Sequence, residues 1–455
     1  MQDYEALRQR HAAQARELMP EYIARLSWPR ERIEQEQTAG LRRMIALARE
    51  GSSWHRARLA LVDVDSLTLA DVSSLPVMTK DDLMSHWDEI VTDSRLNLDL
   101  ANRHLEAITS DAYLLDMYHV VASGGSSGVR GVFAWSWDAW AIAFCAGMRW
   151  GARRAALSPA TPGSQPVSAS VAAAAPTHMT AVLGQTFADP TAVNHRFPVT
   201  MPLADIVAGL NAVQPTRLMG YATALNELAR EALEGRLRIA PVSIMSTAEP
   251  LLPEMRATIE AAWNAPVGSL WGTSEGCTTG APCLTGSGMH LSEDMLIVEL
   301  VGSNGVATRD GEKSDKIFLT NLINPALPLI RYEITDEVRV ITEPCPCGSH
   351  FKRVDDIQGR VDDMFRYDGG VSIHPHVFRS PLSRDREIIE YQVRQTPRGA
   401  DVMIRASGDV DEDALRTQIA SHVERAGLSN PEITLRTVPS IGRTSAGKLR
   451  RFVPI

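Results

Sequence analysis

The chain has 455 residues, of which 44% are hydrophobic, and a formal net charge of -9. This length is too great for one hydrophobic core, so we expect two or more domains. The acidic balance, with no block of Lys and Arg, argues against nucleic acid as a partner. The longest apolar run, residues 139–146, is too short to cross a bilayer, so we expect no membrane partner either.

The amino-terminal residues and the cysteines bear on location. Residues 1–5 lack the basic and apolar regions of a secretory signal. Five cysteines are too few for a disulfide framework in a chain of this size, which fits a reducing compartment. We therefore predict a cytoplasmic protein with small-molecule ligands.

The predicted elements change character along the chain. Residues 3–49 have helical periodicity, which predicts a pair of amphipathic helices. From Val120 onward, short apolar runs alternate with helical stretches at residues 222–234 and 253–263, and this alternation favours an α/β domain with a substantial sheet. The apolar runs are residues 168–175, 218–221, 242–245 and 268–271.

The carboxyl-terminal part repeats these patterns on a smaller scale. Residues 295–301 and 316–321 predict strands around a turn at residues 303–305. After Gly359 the pattern is strand, helix (residues 411–426) and strand (residues 432–438). We place a boundary here, giving a large α/β domain (1–358) and a small α+β domain (359–455). The stretch at residues 158–170 is interpreted as a surface loop.

A Ser/Gly run after an apolar stretch is the first candidate site. Glycines let backbone amides converge and hydroxyls add donors, which suits a polyphosphate. A flexible turn is the alternative, and the run is not a Walker motif because no Gly-Lys-Ser/Thr follows it. It comprises Ser123, Gly124, Gly125, Ser126, Ser127 and Gly128.

Two acidic residues and two basic residues complete the candidates for charge chemistry. Glu275 follows the apolar residues 267–270, and a carboxylate at a strand end suits Mg²⁺ on ATP phosphates. Asp336 is able to accept both hydroxyls of a ribose. Arg360 stands at the proposed boundary, and Lys448 lies on a loop of small residues.

A separate set of residues has the composition of a metal site. Three thiolates and one imidazole form a complete tetrahedral set for zinc, closed to water and therefore structural. Cysteines that simply pack the core are the alternative, although a tight Cys-Pro-Cys-Gly turn suits a ligand loop better than a core strand. The candidates are Cys283, His290, Cys345 and Cys347.

In order and spacing these segments resemble the acyl-adenylate-forming superfamily of CoA ligases, luciferases and adenylation domains. The closest resemblance is to its phenylacetate-CoA ligase branch, through residues 75–83, 219–225, 288–294 and 345–348, and it extends from about residue 40 to the end. It implies that a carboxylic acid attacks the α-phosphate of MgATP to give an acyl-AMP, and that a thiol or amine then takes the acyl group. Some members of the branch carry zinc on this ligand pattern, and dimers are common.

The resemblance also implies individual roles. Lys448 bridges the substrate carboxylate and the α-phosphate, and Asp362 is the hinge about which a mobile small domain rotates between the half-reactions. Glu275 holds Mg²⁺ and Thr273 contacts the α-phosphate. The other nucleotide-binding expectations are Asp336 on the ribose, Arg360 on the ribose or phosphate side, residues 123–128 over the β- and γ-phosphates, and Glu249, Trp271 and Gly272 near the nucleotide.

Three departures from the family pattern are visible. Val129-Arg130 follows the Ser/Gly run where Lys-Pro is usual, and Arg130 is available to supply the charge. Trp271 replaces the usual Tyr, and residues 333–335 replace Arg-Thr-Gly. None of these changes removes a residue to which charge chemistry is assigned.

The acyl pocket is expected around the carboxyl ends of the predicted strands. Trp271 and Tyr221 either flank an aryl ring or roof the adenine, and His178 is either a substrate contact or an ordinary strand-end histidine. The expected lining is Tyr221, His178, Ser246 and Ala248, with Glu249 and Trp271 adjacent.

Three functions remain open on the sequence alone. The first is an acid-thiol ligase using ATP, Mg²⁺ and CoA. The second shares the adenylation step but passes the acyl group to a carrier-protein pantetheine or to an amine. The third is a nucleotide-binding regulator without catalysis, against which Lys448 and Glu275 argue.

Overall fold

The computed structural model describes residues 3–123, 130–157, 166–283, 285, 287–355, 357, 364–382, 384–385, 387–442 and 451–455. Several expectations lie outside these residues: Gly124 to Gly128 of the Ser/Gly run, the boundary between residues 358 and 359, Arg360, Asp362 and Lys448. We call the described residues up to 357 the body and those from 364 to 455 the tail.

The helices follow the predicted periodicity closely. The predicted amino-terminal pair is confirmed as the first two helices, and the helices predicted at residues 222–234 and 253–263 are confirmed to within one residue. In chain order they are α1 Tyr4–Arg25, α2 Arg30–Gly51, α3 Ser53–Arg58, α4 Lys80–Ser85, α5 Trp87–Ile90, α6 Leu98–Ala107, α7 Trp137–Leu157, α8 Met179–Thr186, α9 Leu203–Val213, α10 Ala222–Leu233, α11 Pro253–Trp263, α12 His376–Leu382 and α13 Glu412–Arg425, with 3-10 turns at Leu69–Ser74 and Asp368–Gly370.

The strands are short and mostly buried. In chain order they are β1 His119–Ala122, β2 Val132–Trp135, β3 Val167–Ala172, β4 Val193–Pro198, β5 Arg217–Tyr221, β6 Ser243–Thr247, β7 Val267–Thr273, β8 Cys277–Pro282, β9 Met289–Leu291, β10 Leu296–Val301, β11 Lys316–Asn321, β12 Tyr332–Ile334, β13 Val340–Ile341, β14 Arg353–Val354, β15 Phe365–Arg366, β16 Ser372–Ile373, β17 Ile388–Thr396, β18 Gly399–Ala406, β19 Glu432–Thr437 and β20 Phe452–Val453.

A central sheet organises the body. Its strand order in the described part of the chain is β13-β14-β9-β8-β7-β6-β5-β3-β4. Strands β3 to β7 run parallel, whereas β8, β9, β14 and β13 continue the sheet antiparallel. The predicted apolar runs thus become neighbouring strands. One expectation is wrong: residues 167–170, placed in a surface loop, form the start of β3 because their alternate side chains pack into the core.

Smaller sheets complete the fold. Strands β10, β11 and β12 form an antiparallel sheet, which confirms the predicted strands around residues 303–305. The tail has a sheet of order β19-β18-β17-β20, and a hydrophobic cluster drawn from residues 365–452 lies between this sheet and its helices. The mixed α/β fold expected from the sequence is confirmed. No helix within the described ranges is both long and apolar enough to traverse a bilayer.

Candidate active site

The parallel strands bring their carboxyl ends to one edge of the central sheet. Tyr221 at the end of β5 pairs in register with Thr247 at the end of β6, and Thr247 pairs with Leu270 of β7. Ligands of open α/β sheets bind at the carboxyl edge of the strands. The ends of β5, β6 and β7, which carry three of the sequence-predicted segments, therefore meet at this edge of the sheet. Their positions directly after apolar runs predicted this.

Glu275 sits in a tightly braced turn beyond β7. The hydroxyl of Thr273 accepts a hydrogen bond from the amide of Gly276 at 2.9 Å, and the side-chain amide of Asn321 donates to the Glu275 carbonyl at 2.8 Å. The Trp135 indole donates to the carbonyl of Ser274 at 3.2 Å. These bonds fix the backbone of the turn that carries Glu275.

Asp336 lies close to this turn. One of its carboxylate oxygens accepts a hydrogen bond from the indole nitrogen of Trp271 at 2.8 Å, which leaves the other oxygen available. Burial raises the pKa of Asp336 and of Glu275. The indole of Trp271 packs in a hydrophobic cluster with Met289 and Leu291. Its ring nitrogen faces Asp336, so the indole is not placed to flank a substrate ring together with Tyr221.

Lys80 lies near Glu275 and Asp336, and it was not predicted from the sequence as a site residue. We call Lys80, Glu275 and Asp336 the Lys80 centre. The charge of Lys80 acts on both Glu275 and Asp336, its Nζ atom lies 3.4 Å from the hydroxyl of Ser123, and burial lowers its own pKa. A half-buried ammonium that lies near Ser123 and interacts with two carboxylates is a candidate for binding phosphate.

Backbone contacts explain how Lys80 reaches the centre. Thr79 and Asp82 form a capping box that starts α4 at Lys80. The amide of Met78 donates to the carbonyl of Arg331 at 3.1 Å, and the amide of Glu333 donates to the carbonyl of Met78 at 2.9 Å. The run at residues 75–83 contributed only to the family resemblance. Within this run, a lysine that follows a capping Thr and precedes two Asp residues was the feature that could have indicated the site.

The expected acyl-pocket residues are brought together only in part. The ring of Tyr221 lies 5.5 Å from that of His374 and 6.2 Å from that of His376, between centroids, and His178 lies 4.8 Å from His376. Two tail histidines that were not predicted as site residues therefore lie beside the body residues of the expected pocket.

Residues at the end of β6 and directly after it were expected to line the acyl pocket or the nucleotide site. The Ser246 hydroxyl is fully buried and has no hydrogen-bond partner among the residues described. Ala248 has a positive φ of 63°, a strained conformation for a residue with a Cβ. Glu249 accepts hydrogen bonds from Thr223 and contacts His374, and its expected place near the nucleotide stays a prediction.

The four residues of the expected metal site are adjacent. Their ligand atoms all lie within 4.8 Å of one another. The Cys283 and Cys345 sulfurs are 3.2 Å apart, as are those of Cys345 and Cys347, and Nε2 of His290 is 3.3 Å from the Cys347 sulfur. The sequence grouping of Cys283, His290, Cys345 and Cys347 is thus reproduced in space.

The surroundings of the cluster prepare it for a cation. Nδ1 of His290 donates to the Phe351 carbonyl at 3.1 Å, which fixes the tautomer and turns the Nε2 lone pair toward the sulfurs. Trp150 stacks on the same imidazole at 4.7 Å. Gly288 precedes this strand at φ +80°, where a Cβ would lie 2.4 Å from the Val354 carbonyl oxygen. The donor set and its support fit zinc.

Parts of this chain are similar in sequence to known proteins. No family model matches the chain. Over 178 residues, 38% of each chain, it is 28% identical to phenylacetate-coenzyme A ligase of Thermus thermophilus, and over 149 residues, 32% of each chain, it is 33% identical to that of Escherichia coli. The resemblance to phenylacetate-CoA ligases is confirmed. A further relative, protein CapK of Staphylococcus aureus, is 25% identical over 246 residues, 53% of each chain.

These matched segments span about a third to a half of the length of the curated relatives. A solved structure covers more. The chain superposes on 2-hydroxyisobutyryl-CoA ligase, in a complex with its acyl-AMP and CoA, with a TM-score of 0.61 and 20% identity over 94% of this chain and 91% of that one. This likeness shows that the chain has the fold of that ligase.

Proposed function

We propose that the protein joins a carboxylic acid to AMP at the expense of MgATP and then transfers the acyl group to the thiol of CoA. The observation that carries the proposal is the convergence of Lys80, Glu275 and Asp336 beside Ser123. A phosphate-binding ammonium, a cation-binding carboxylate and a ribose-binding carboxylate are the three groups that a bound MgATP requires. The likeness in sequence to phenylacetate-CoA ligases supports the same reaction class.

The charges of the centre fit a magnesium nucleotide. Burial raises the pKa of Glu275, and a divalent cation would stabilise its ionised form and offset the cost of burying it. The Tyr332 hydroxyl is buried and has no hydrogen-bond partner in the described part of the chain. Burial, and then the negative charge of Glu275, raise the pKa of Tyr332. A ligand or its water would satisfy this hydroxyl.

The chemistry assigns one step to each group. A carboxylate oxygen of the acid forms a bond to the α-phosphorus while the bond to the β-phosphate breaks, and pyrophosphate leaves. Lys80 stabilises the charge that builds on the phosphates. Asp336 fixes the ribose through the oxygen that Trp271 leaves available. In the second step the thiol loses its proton to solvent, its sulfur bonds to the acyl carbon, and AMP departs as the bond between that carbon and the phosphate oxygen breaks.

Lys448, Arg360, Asp362 and residues 124–128 complete the proposal by resemblance alone. Lys448 would bridge the carboxylate and α-phosphate, and Asp362 would be the hinge of a mobile domain covering residues 359–455. The charge of Arg451, three residues after Lys448, acts on Lys80. This proximity supports the expectation that the end of the tail reaches the centre.

The remaining assignments are also proposals. We infer a structural zinc ion at the cysteine and histidine cluster. We also infer a cytoplasmic location, which the low number of cysteines and the lack of a disulfide among the five described cysteines support. The acid is a small carboxylic acid of undetermined identity. A carrier-protein pantetheine or an amine remains an alternative acceptor, and self-association remains a prediction.

A panel of carboxylic acids tests the proposal. AMP release is measured with ATP and Mg²⁺, with and without CoA, on the full chain. We expect at least one acid to give AMP release that CoA accelerates. Release accelerated by an amine and unaffected by CoA would identify the alternative acceptor. No acid-dependent AMP release with any member would overturn the proposal.

A further inference from the structure

The loop between β11 and β12 begins with two buried asparagines. Asn321 is the last residue of β11 and is 0% exposed, and Asn324 is 3% exposed. Asparagine is mostly exposed in folded proteins, so two buried asparagine side chains in one loop indicate a defined polar network. Their hydrogen bonds connect parts of the candidate active site that are far apart in the sequence.

Asn321 joins this loop to the turn that carries Glu275. Its side-chain amide donates to the carbonyl of Glu275 at 2.8 Å. Its side-chain oxygen accepts hydrogen bonds from the amides of Ile323 at 2.9 Å and of Asn324 at 3.1 Å. The oxygen therefore satisfies the backbone of the loop itself, whereas the nitrogen reaches the neighbouring turn.

Asn324 joins the same loop to β2. Its side-chain amide donates to the carbonyl of Ala134 at 2.9 Å, and its side-chain oxygen accepts from the amide of Ser136 at 3.1 Å. Strand β2 is paired antiparallel with β1, and the Ser/Gly run lies between these two strands in the sequence. Asn324 therefore holds one of the two strands that flank the Ser/Gly run.

The β1–β2 hairpin extends this connection to Lys80. Ser123 directly follows β1, and its hydroxyl lies 3.4 Å from Nζ of Lys80. The indole of Trp135 in β2 donates to the carbonyl of Ser274 at 3.2 Å, which is a second link between the hairpin and the turn of Glu275. Direct contacts therefore connect both charged groups expected at the phosphates.

We propose that Asn321 and Asn324 are positioning residues of the adenylation step. As a pair they set the distance between the hairpin that carries the Ser/Gly run and the turn that carries Glu275. A magnesium nucleotide must contact both, so a small displacement of one relative to the other would weaken its binding and slow its reaction. This assignment rests on the proposed function, because it requires MgATP at the Lys80 centre.

Aspartate substitutions separate the two ends of each side chain. Asn321→Asp and Asn324→Asp keep the oxygen that accepts from backbone amides, but they lose the nitrogen that donates to another element. Asn211→Asp is the matched control. The side chain of Asn211 also donates to a backbone carbonyl, at 2.9 Å, and accepts from a backbone amide, at 2.7 Å.

The kinetics of pyrophosphate exchange are measured on the full chain. We expect Asn321→Asp and Asn324→Asp each to lower kcat/KM for MgATP at least about 10-fold and to leave KM for the acid unchanged. Thiolation of a supplied acyl-AMP involves neither Mg²⁺ nor pyrophosphate, so it should be retained. The double variant should lose little more than the more impaired single variant, because the two residues belong to one network.

A purely structural role predicts a different pattern. Adenylation and thiolation would then fall together with the fraction of folded protein. Equal loss of the two half-reactions, or unchanged kinetics in the folded variants, would overturn the proposal. Each single variant is sufficient for the test if the other does not fold, and failure of both to fold would assign a structural role.

Binding of MgATP without turnover separates this proposal from the proposed function. The rise in melting temperature on addition of MgATP is measured for the wild type, the two single variants and Asn211→Asp. Absence of exchange with every acid would contradict the proposed function, and a smaller rise in the two variants than in the control would still support the positioning of the nucleotide. An equal rise in all four proteins would overturn the positioning role.

Discussion

Nε2 of His374 lies 3.1 Å from Oε1 of Glu249, so a tail imidazole is paired with a body carboxylate at the carboxyl edge of the central sheet. The amide of His376 donates to Nδ1 of His374 at 3.0 Å, which leaves the imidazole proton on Nε2. Thr223 donates to the other Glu249 oxygen from its amide at 3.0 Å and its hydroxyl at 2.7 Å. Glu249 therefore joins the two parts of the chain.

This pairing predicts a coupling energy between the two residues. We expect a double-mutant cycle of Glu249→Ala and His374→Ala to give a coupling of about 1.5–3 kcal/mol in the free energy of unfolding, because the hydrogen bond is buried and involves a charged group. The exposed pair Arg236 and Glu231 is the control and should couple much less. A coupling near zero for Glu249 and His374 would show that the contact is dispensable.

Lys80 offers a test of the phosphate site. Lys80→Gln should reduce kcat/KM for acyl-AMP formation by about 100-fold, since one charge that stabilises the transition state is removed. Lys80→Arg keeps the charge and should lose less. Lys313→Gln, at an exposed lysine paired with Glu337, is the matched control. Equal activity in Lys80→Gln and the wild type would remove Lys80 from the mechanism.

Lys448 is predicted to act in only one half-reaction. Lys448→Ala should abolish adenylation while thiolation of a supplied acyl-AMP is largely preserved, because the lysine bridges groups that react only in the first step. Both half-reactions are measured separately on the same preparation. Equal loss of the two would contradict the role assigned to this residue.

The cysteine cluster predicts that metal content and stability change together. Cys345→Ser should reduce bound zinc from about one ion per chain and lower the melting temperature, since a structural metal contributes to folding. Cys145→Ser, at a buried cysteine whose thiol donates to the Ala15 carbonyl, should leave zinc content unchanged. Elemental analysis that finds no stoichiometric zinc in the wild type would contradict the assignment.

His11 predicts a pH dependence of stability. Burial, and then the charge of His119, lower its pKa from 6.5 to about 3. The ring is hydrogen-bonded to the Trp137 carbonyl and the Tyr113 hydroxyl. The unfolded chain therefore binds a proton below pH 6.5 that the folded chain does not, so stability falls as the pH falls from 6.5 toward 3. Protonation of His11 in the unfolded chain should therefore lower the free energy of unfolding by about 2 kcal/mol between pH 6.5 and pH 5.

Chemical unfolding of the wild type and of His11→Gln between pH 5 and pH 7 measures this term. The variant keeps a donor and an acceptor at the position but carries no titrating group. Its stability should depend less on pH by that amount. Parallel pH curves for the two proteins would show that His11 does not titrate on unfolding.

The helices and strands were predicted from the sequence more accurately than the tertiary contacts between them. Helices α10 and α11, and the strands at the apolar runs 218–221 and 268–271, were predicted from local sequence patterns, which short segments carry by themselves. The metal ligands were grouped because their chemistry is unusual enough to be recognised at any separation. These features need no knowledge of tertiary contacts.

Residues selected by tertiary contacts were missed. Lys80 reaches Glu275 only because the backbone at Met78 pairs with residues 331 and 333, more than 250 positions away in the sequence. His374 and His376 reach Tyr221 through the docking of the tail on the body. The contact of Glu249 with His374 was missed for the same reason, because nothing local in the sequence indicates that a tail histidine lies beside it.

The central claim is that Lys80, Glu275 and Asp336 bind one MgATP and present its α-phosphate to a carboxylic acid. Acid-dependent exchange of labelled pyrophosphate into ATP measures the reversal of that step without any acceptor. The account predicts exchange that requires both Mg²⁺ and a suitable acid and that falls about 100-fold in Lys80→Gln. No exchange with any acid, together with no heat of binding for MgATP, would contradict it.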